Sequence, residues 1–283
     1  REGYFHPLEV VVLVAGAFLL AVFFRVETRI KNPMLPMFLM KDRRFVLVSV
    51  QTLVLFAGFQ SAMYFLSFLY IQSFGYTALQ AGAASLPISI IVFFISSRAA
   101  RLASTHGPRI ILCSSSILMA ISLFWLSFAD GDYFYSVMPG MVVMGFSVGL
   151  FAAPLTAVAM AAAGPGRDGL ASGVNNAVSR IGPLLGIAIF GYWIGGDYAQ
   201  NLVATLADTS LSPDKQAFLI ENRAMIAAII LPSDWPPSEQ ENIMTLIRAL
   251  FAQSLRETLR ISACFAIVAA ILALFYRKED ARP

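Results

Sequence analysis

Apolar runs of roughly membrane-spanning length recur along this chain, at residues 8–24, 45–71, 78–97, 110–129, 133–160, 170–194 and 258–276. A helix crosses a bilayer core with about 20 apolar residues. One soluble core cannot bury so many helices that are apolar on every face. Lipid cannot satisfy open strand edges, so the spans are expected to be helices. The alternating pattern of a membrane barrel is absent. Composition agrees, with 58% hydrophobic and 13% charged residues, against roughly a quarter charged in soluble domains. The expected fold class is an all-α polytopic membrane protein in a lipid bilayer.

The connections alternate in charge. Arg25, Arg29, Lys31, Lys41, Arg43 and Arg44 follow the first span, Arg98, Arg101 and Arg109 the third, Arg167 the fifth, and Arg277, Lys278 and Arg282 the last. The short connections 72–77 and 130–132 hold no Lys or Arg. Basic loops stay cytoplasmic, so the chain is expected to start outside and end inside, with 195–257 extracytoplasmic. In that segment Ser238 and Glu241 have capping-box spacing. Ile243, Leu246, Ile247, Leu250 and Phe251 form one apolar stripe. A surface helix that runs toward the last span is expected there, and a second over 213–231, capped by Ser212 with Pro213 first.

None of the seventeen acids falls inside spans two to six, and no lysine falls in any span. Proton-coupled carriers usually need a titratable group within the membrane, so this chain is poorly equipped to couple protons alone. Neutral polar groups do occur there. They are Gln51, Gln60, Ser61, Ser114, Ser115, Ser116, Asn175 and Asn176. Each needs an interhelical partner, worth about 0.6–2 kcal/mol, or a wet path. Gly145 and Gly149, Gly182 and Gly186, and Gly191 and Gly195 have the spacing for close helix approach. Pro87, Pro154 and Pro183 can bend helices and free carbonyls. Cys113 and Cys264 read as small core residues, and His6 and His106 belong to no ligand cluster. No nucleophile–base pair or metal spacing supports an enzyme. The net charge of +3 gives no support for nucleic-acid binding.

Three stretches carry a family resemblance: "KNPMLPMFLMKDRRF" (31–45), "ARLASTHGPRIIL" (100–112) and "GLASGVNNAVSRIGPLLGIAIFG" (169–191). Together they resemble the fourteen-helix drug:proton antiporters of the major facilitator superfamily, over residues 7–194. The resemblance implies two six-helix bundles with two additional helices between them. Residues 1–44 would be one additional helix and its basic linker, and 45–283 the C-terminal six-helix bundle. The partner would be a missing N-terminal half that holds most of the coupling acids. The chain starts at Arg1, without methionine or a signal peptide, and is expected to be a piece of something longer. No cofactor is implied, only a proton gradient as energy source. The implied home is a bacterial inner membrane and the implied cargo small amphipathic compounds. The loop motif matches Ala100, Arg101, Leu102, Ala103, Gly107, Pro108 and Arg109. Ser104 stands where the motif usually has an aspartate of a cytoplasmic latch.

Under that resemblance the substrate path is expected at Gln51, Phe56, Phe59, Gln60, Met63, Met144, Asn175 and Asn176. Arg101, Gly107, Pro108, Arg109 and Arg180 are assigned to gating, and Gly145, Gly149, Pro154, Gly182 and Gly186 to packing. About 16 mostly apolar residues follow Arg180, covering about 24 Å of a roughly 30 Å core. Arg180 is therefore expected near the cytoplasmic boundary. On one face with Asn176, it either meets a neighbouring helix, bonding carbonyls freed by a bend, or anchors to headgroups. Two other readings stand beside the transporter. A seven-helix receptor matches the span count, but the last span has no lysine and no acid–arginine pair closes the third. A stand-alone membrane interaction protein is the other.

Overall fold

The computed structural model describes residues 7–30, 39–164, 166–209 and 211–277. His6, Lys31, Lys278, Arg282 and most of the 31–45 stretch lie outside the described residues. Every regular element described is helical: α1 (Pro7–Glu27), α2 (Arg43–Phe68), α3 (Ala78–Ala83), α4 (Leu86–His106), α5 (Pro108–Leu126), α6 (Met138–Ala163), α7 (Asp168–Ala207), α8 (Pro213–Glu221) and α9 (Pro237–Ala273). Widened turns extend α2 through Leu69–Ser73 and precede α6 at Tyr133–Val137.

Among the described residues five stretches are long and apolar enough to cross a membrane: Arg43–Ser73, Ala78–His106, Pro108–Leu126, Tyr133–Ala163 and Asp168–Ala207. The expected first span lies on α1. The expected last one is the C-terminal part of α9, which ends at Ala273. The run at 78–97 is not one helix. It breaks at Ala84 and Ser85, because Pro87 near the start of α4 has no N–H to continue α3.

The bundle is built around α6. Helices α4, α5, α7 and α2 all pack on it, while α2 also pairs with α7 and α9, and α5 with α9. Glycine sets two close crossings. A Cβ on Gly145 would stand 2.9 Å from Ile91 Cβ, and one on Gly149 2.9 Å from Ile95 Cβ, so α4 lies directly on the α6 backbone. A Cβ on Gly182 would stand 2.7 Å from the Leu53 carbonyl oxygen, and one on Gly186 2.8 Å from that of Ala57. Gly191 and Gly195 do not form a third such contact. A Cβ on Gly191 would meet Phe65 at an ordinary 3.5 Å, and one on Gly195 nothing within 4 Å. Pro154 and Pro183 are buried within continuous helices.

Helix α7 has 40 residues, a length of about 60 Å, so residue 195 is no boundary. Beyond it Tyr198, Leu202 and Leu206 continue the buried face and meet a small helical cap. In the cap Leu219, Ile229, Trp235, Ile243, Ile247, Leu250 and Phe251 are buried. Leu246 packs beside them half-buried, so the expected stripe forms. Phe218 and Trp235 meet edge-on at 5.5 Å. Lys215 joins Glu239 and sits 5.2 Å over the Trp235 ring. The expected 213–231 helix stops at Glu221, and a separate 3-10 turn, Arg223–Ala228, follows. Ser212 occupies the cap position without a side-chain bond. The Ser238–Glu241 box does not form, because Pro236 and Pro237 start α9 before Ser238. Cys264 is exposed rather than core, and Cys113 is half-buried.

Candidate functional site

The arginine-rich connections lie at one end of the bundle. Arg43 opens α2, Arg98 and Arg101 end α4, Arg109 opens α5 and Arg167 precedes α7. The loop motif here is a one-residue joint. Gly107 ends α4 and begins α5 with φ +92° and ψ 150°, which only glycine adopts readily. Its N–H donates to the Ala103 carbonyl at 2.9 Å. Pro108 takes the first position of α5, where a missing N–H costs nothing. Both are buried, whereas Arg101 and Arg109 are exposed. Ser104, in the usual aspartate position, donates to the Arg101 carbonyl at 2.8 Å.

Three helices meet inward of this rim. The Thr52 hydroxyl on α2 donates to Asn175 Oδ1 on α7 at 2.9 Å. Asn175 Nδ2 donates to Thr156 Oγ1 on α6 at 3.2 Å, and Thr156 donates on to the Ala152 carbonyl at 3.3 Å. Asn175 is 3% exposed and Thr52 fully buried. Gln51, also fully buried, donates from Nε2 to Ser116 Oγ at 3.4 Å and to the Ala269 carbonyl at 3.3 Å. Its Oε1 has no partner among the described residues. Further small hydroxyls stitch α5 to α6: Ser122 donates to the Gly140 carbonyl and Ser147 to the Ser115 carbonyl, each at 2.8 Å.

These positions divide the expected substrate path. Gln51, Met144 and Asn175 are packed inside the bundle. Phe56, Phe59 and Met63 are half-buried against the core, with Phe56 edge-on to Phe151 at 5.3 Å. Gln60 and Asn176 are exposed on the bundle surface. Asn175 and Asn176 point apart, since neighbours on a helix lie about 100° from each other. Sequence reasoning missed Thr52 and Thr156. Threonine is ordinary inside membrane helices, and only the fold brings these two to Asn175.

Arg180 is the main correction. Gly182 and Gly186 fix the register of α7 along α2, running parallel. That register sets Arg180 level with about residue 53, roughly 15 Å along the bundle from Arg43. The sequence count placed it at the rim by measuring back from residue 194 across a core of about 30 Å, whereas the contacts of Gly182 and Gly186 measure its level forward from Arg43. Arg180 thus lies about ten residues along the bundle from the arginine rim rather than at it. It is exposed on the outer face of α7, with Asn176 one turn before it. Among the described residues its side chain has no hydrogen-bond partner and no ion pair. A planar guanidinium at this depth suits carboxylate, phosphate or water across a cavity.

The far end is closed by a different arginine pair. Arg256 on α9 donates to the Ala129 carbonyl just past α5 at 2.9 Å. Arg260 bonds Glu257 at 2.6 Å and lies 5.3 Å from the Phe128 ring. In the connections at this end the Tyr76 hydroxyl donates to the Gly131 carbonyl at 2.8 Å. Burial, and then the charge of Asp132, push Tyr76 above its ordinary pKa. Asp130 is held below the usual carboxylate range, chiefly by Ser136. Among the described residues no group of His, Cys, Asp and Glu could hold a metal.

The family profile of the Major Facilitator Superfamily matches residues 8–187. Among characterised proteins, the chain is 28% identical over 238 residues to the multidrug resistance protein Stp of Mycobacterium tuberculosis, covering 83% of this chain and 42% of that protein. It is 29% identical to the puromycin resistance protein pur8 of Streptomyces alboniger, over 75% of this chain and 42% of that protein. To the multidrug export protein EmrB of Escherichia coli K12 it is 27% identical, over 76% of this chain and 43% of that protein. The chain spans less than half the length of these relatives.

Proposed function

Because the chain belongs to the Major Facilitator Superfamily, we propose that it forms one bundle of a secondary transporter. That carrier exports small amphipathic compounds at the expense of a proton gradient, in a bacterial inner membrane. The observation that carries this reading is Arg180, exposed deep along α7 without a partner in its own bundle. A charge at such depth faces a water-filled cavity or a partner carboxylate rather than lipid. The face of α7 bearing Asn176 and Arg180 then lines the path against a second bundle. Gln60 and Met63 of α2 border the same path, and Phe56 and Phe59 support it from behind. Gln51, Asn175 and Met144 hold the wall rigid. Alternating access is rocking of this bundle against its partner half, with most coupling acids in that half. The relatives' names for multidrug resistance and export support this reading.

The test is ethidium accumulation in a bacterial host stripped of its own efflux pumps and expressing the gene as it occurs. The expected result is lower accumulation that a protonophore abolishes, and restored accumulation with Arg180→Ala at equal membrane abundance. Equal accumulation with and without the gene, or full export by Arg180→Ala, overturns the reading.

A further inference from the structure

Between the outer flank of α7 and the turn Arg223–Ala228 lies an open cavity of 740 Å³, lined among others by Tyr192, Trp193, Asp197, Gln200, Arg223 and Ile226. The turn packs on both α7 and α9. Ile226 holds φ +50° and ψ −132° within it, a conformation a β-branched residue keeps only when its surroundings enforce it.

Its two charges are opposite and do not pair with each other. Among the described residues the ion pairs are Arg44–Asp42, Lys215–Glu239 and Arg260–Glu257. Arg223 spends one N–H on the Ile220 carbonyl at 3.1 Å, out of five donors. Asp197 accepts from Asn201 Nδ2 through one oxygen, at 2.9 Å. Both side chains are half-buried and border the same space. A ligand that carries both an anion and a cation satisfies both.

The level of the cavity says which ligand that is. Gly191 stands against Phe65, so Tyr192 lies about 33 Å along the bundle from Arg43. A hydrocarbon core is about 30 Å thick. Tyr192 and Trp193, 86% and 52% exposed, therefore sit at the second headgroup layer, where such rings collect. On the segment that closes the cavity, Met225 and Ile230 present exposed apolar side chains.

We propose that this cavity seats the headgroup of a zwitterionic phospholipid with a primary ammonium, the phosphatidylethanolamine class. Arg223 holds the phosphate and Asp197 the ammonium. Tyr192 and Trp193 border the glycerol, and Met225 and Ile230 lie against the acyl chains. An anionic lipid leaves Asp197 facing like charge, and an organic cation leaves Arg223 doing so. The cavity begins about three turns beyond Arg180 along α7, and the inference does not rest on the transport reading.

The test is native mass spectrometry of the full chain, released from vesicles of equal phosphatidylethanolamine and phosphatidylglycerol. The wild type is expected to retain phosphatidylethanolamine selectively. Asp197→Asn and Arg223→Gln each lose a charge-assisted contact, and selective retention falls about tenfold. Asp197→Glu keeps most of it, and Arg248→Gln on the exposed face of α9 changes nothing. Thermal melting of each variant separates lipid loss from unfolding. Equal retention of the two lipids by the wild type overturns the proposal. So does undiminished selectivity in folded Asp197→Asn and Arg223→Gln.

Discussion

Thr52 and Asn175, 123 positions apart in sequence, share a hydrogen bond of 2.9 Å in the interior of the bundle. The bond ties α2 to α7, and Thr156 extends it to α6. Pairs of this kind within membranes are worth about 0.6 kcal/mol on average and at most about 1.7. A double-mutant cycle of Thr52→Val and Asn175→Leu, followed by thermal melting in detergent, is expected to give a coupling energy in that range. Strict additivity would show that the two side chains do not act together.

Gln51 makes the opposite prediction. Its two bonds are long, and Oε1 is buried without a partner among the described residues. Replacing such an amide by an apolar residue of similar size removes a desolvation cost as well as a bond. Gln51→Leu is therefore expected to melt at the wild-type temperature or above it. A loss of several degrees would place an unseen partner on Oε1.

Glycine spacing alone does not foretell contact. Gly182→Ala and Gly186→Ala drive a methyl against backbone carbonyls of α2, and each is expected to cost about 1–3 kcal/mol, as overpacking does. Gly195→Ala meets open space. It is expected to be neutral or to stabilise α7 by up to about 1 kcal/mol. Melting the three variants side by side checks this. Equal effects at 186 and 195 would contradict the α2–α7 crossing.

Tyr76 carries the pH dependence. Its pKa is raised, so its contribution to stability is complete below the ordinary tyrosine value and is lost as pH rises through the raised one. The difference in ultraviolet titration between wild type and Tyr76→Phe is expected to show ionisation above the ordinary tyrosine range. Ionisation at the ordinary value would mean that neither burial nor the charge of Asp132 acts on the hydroxyl.

Arg180→Lys tests the shape of the site rather than its charge. The side chain is exposed and unpaired within its bundle, so folding is expected to tolerate lysine. Export by the whole carrier should fall if the guanidinium makes planar, two-pronged contact across the path. Full export with lysine would leave only a requirement for positive charge.

The spanning runs and the basic rim were legible because hydropathy and charge are properties of single residues. Gly107 and Pro108 were legible as a joint because few other residues fit it. The level of Arg180 was not, because it follows from where Gly182 and Gly186 meet α2. Nor was the length of α7. Past residue 194 the composition turns polar and reads as a loop, while the helix continues on Tyr198, Leu202 and Leu206, each one turn from the last. The Thr52–Asn175–Thr156 node was half legible. An asparagine in an apolar run demands a partner, but only the register of three helices says which one. The Pro236–Pro237 start of α9 overrode a correct capping-box spacing, because proline fixes φ one step earlier.

The unbroken course of α7 has a mechanical consequence. A rod of about 60 Å that pivots on the glycine crossing, about two fifths of the way along, behaves as an unequal lever. A tilt of about 10° carries the Asp168 end by about 4 Å and the Ala207 end by about 6 Å, in opposite senses. A tilt begun beside Arg180 would thereby reach the helical cap enlarged.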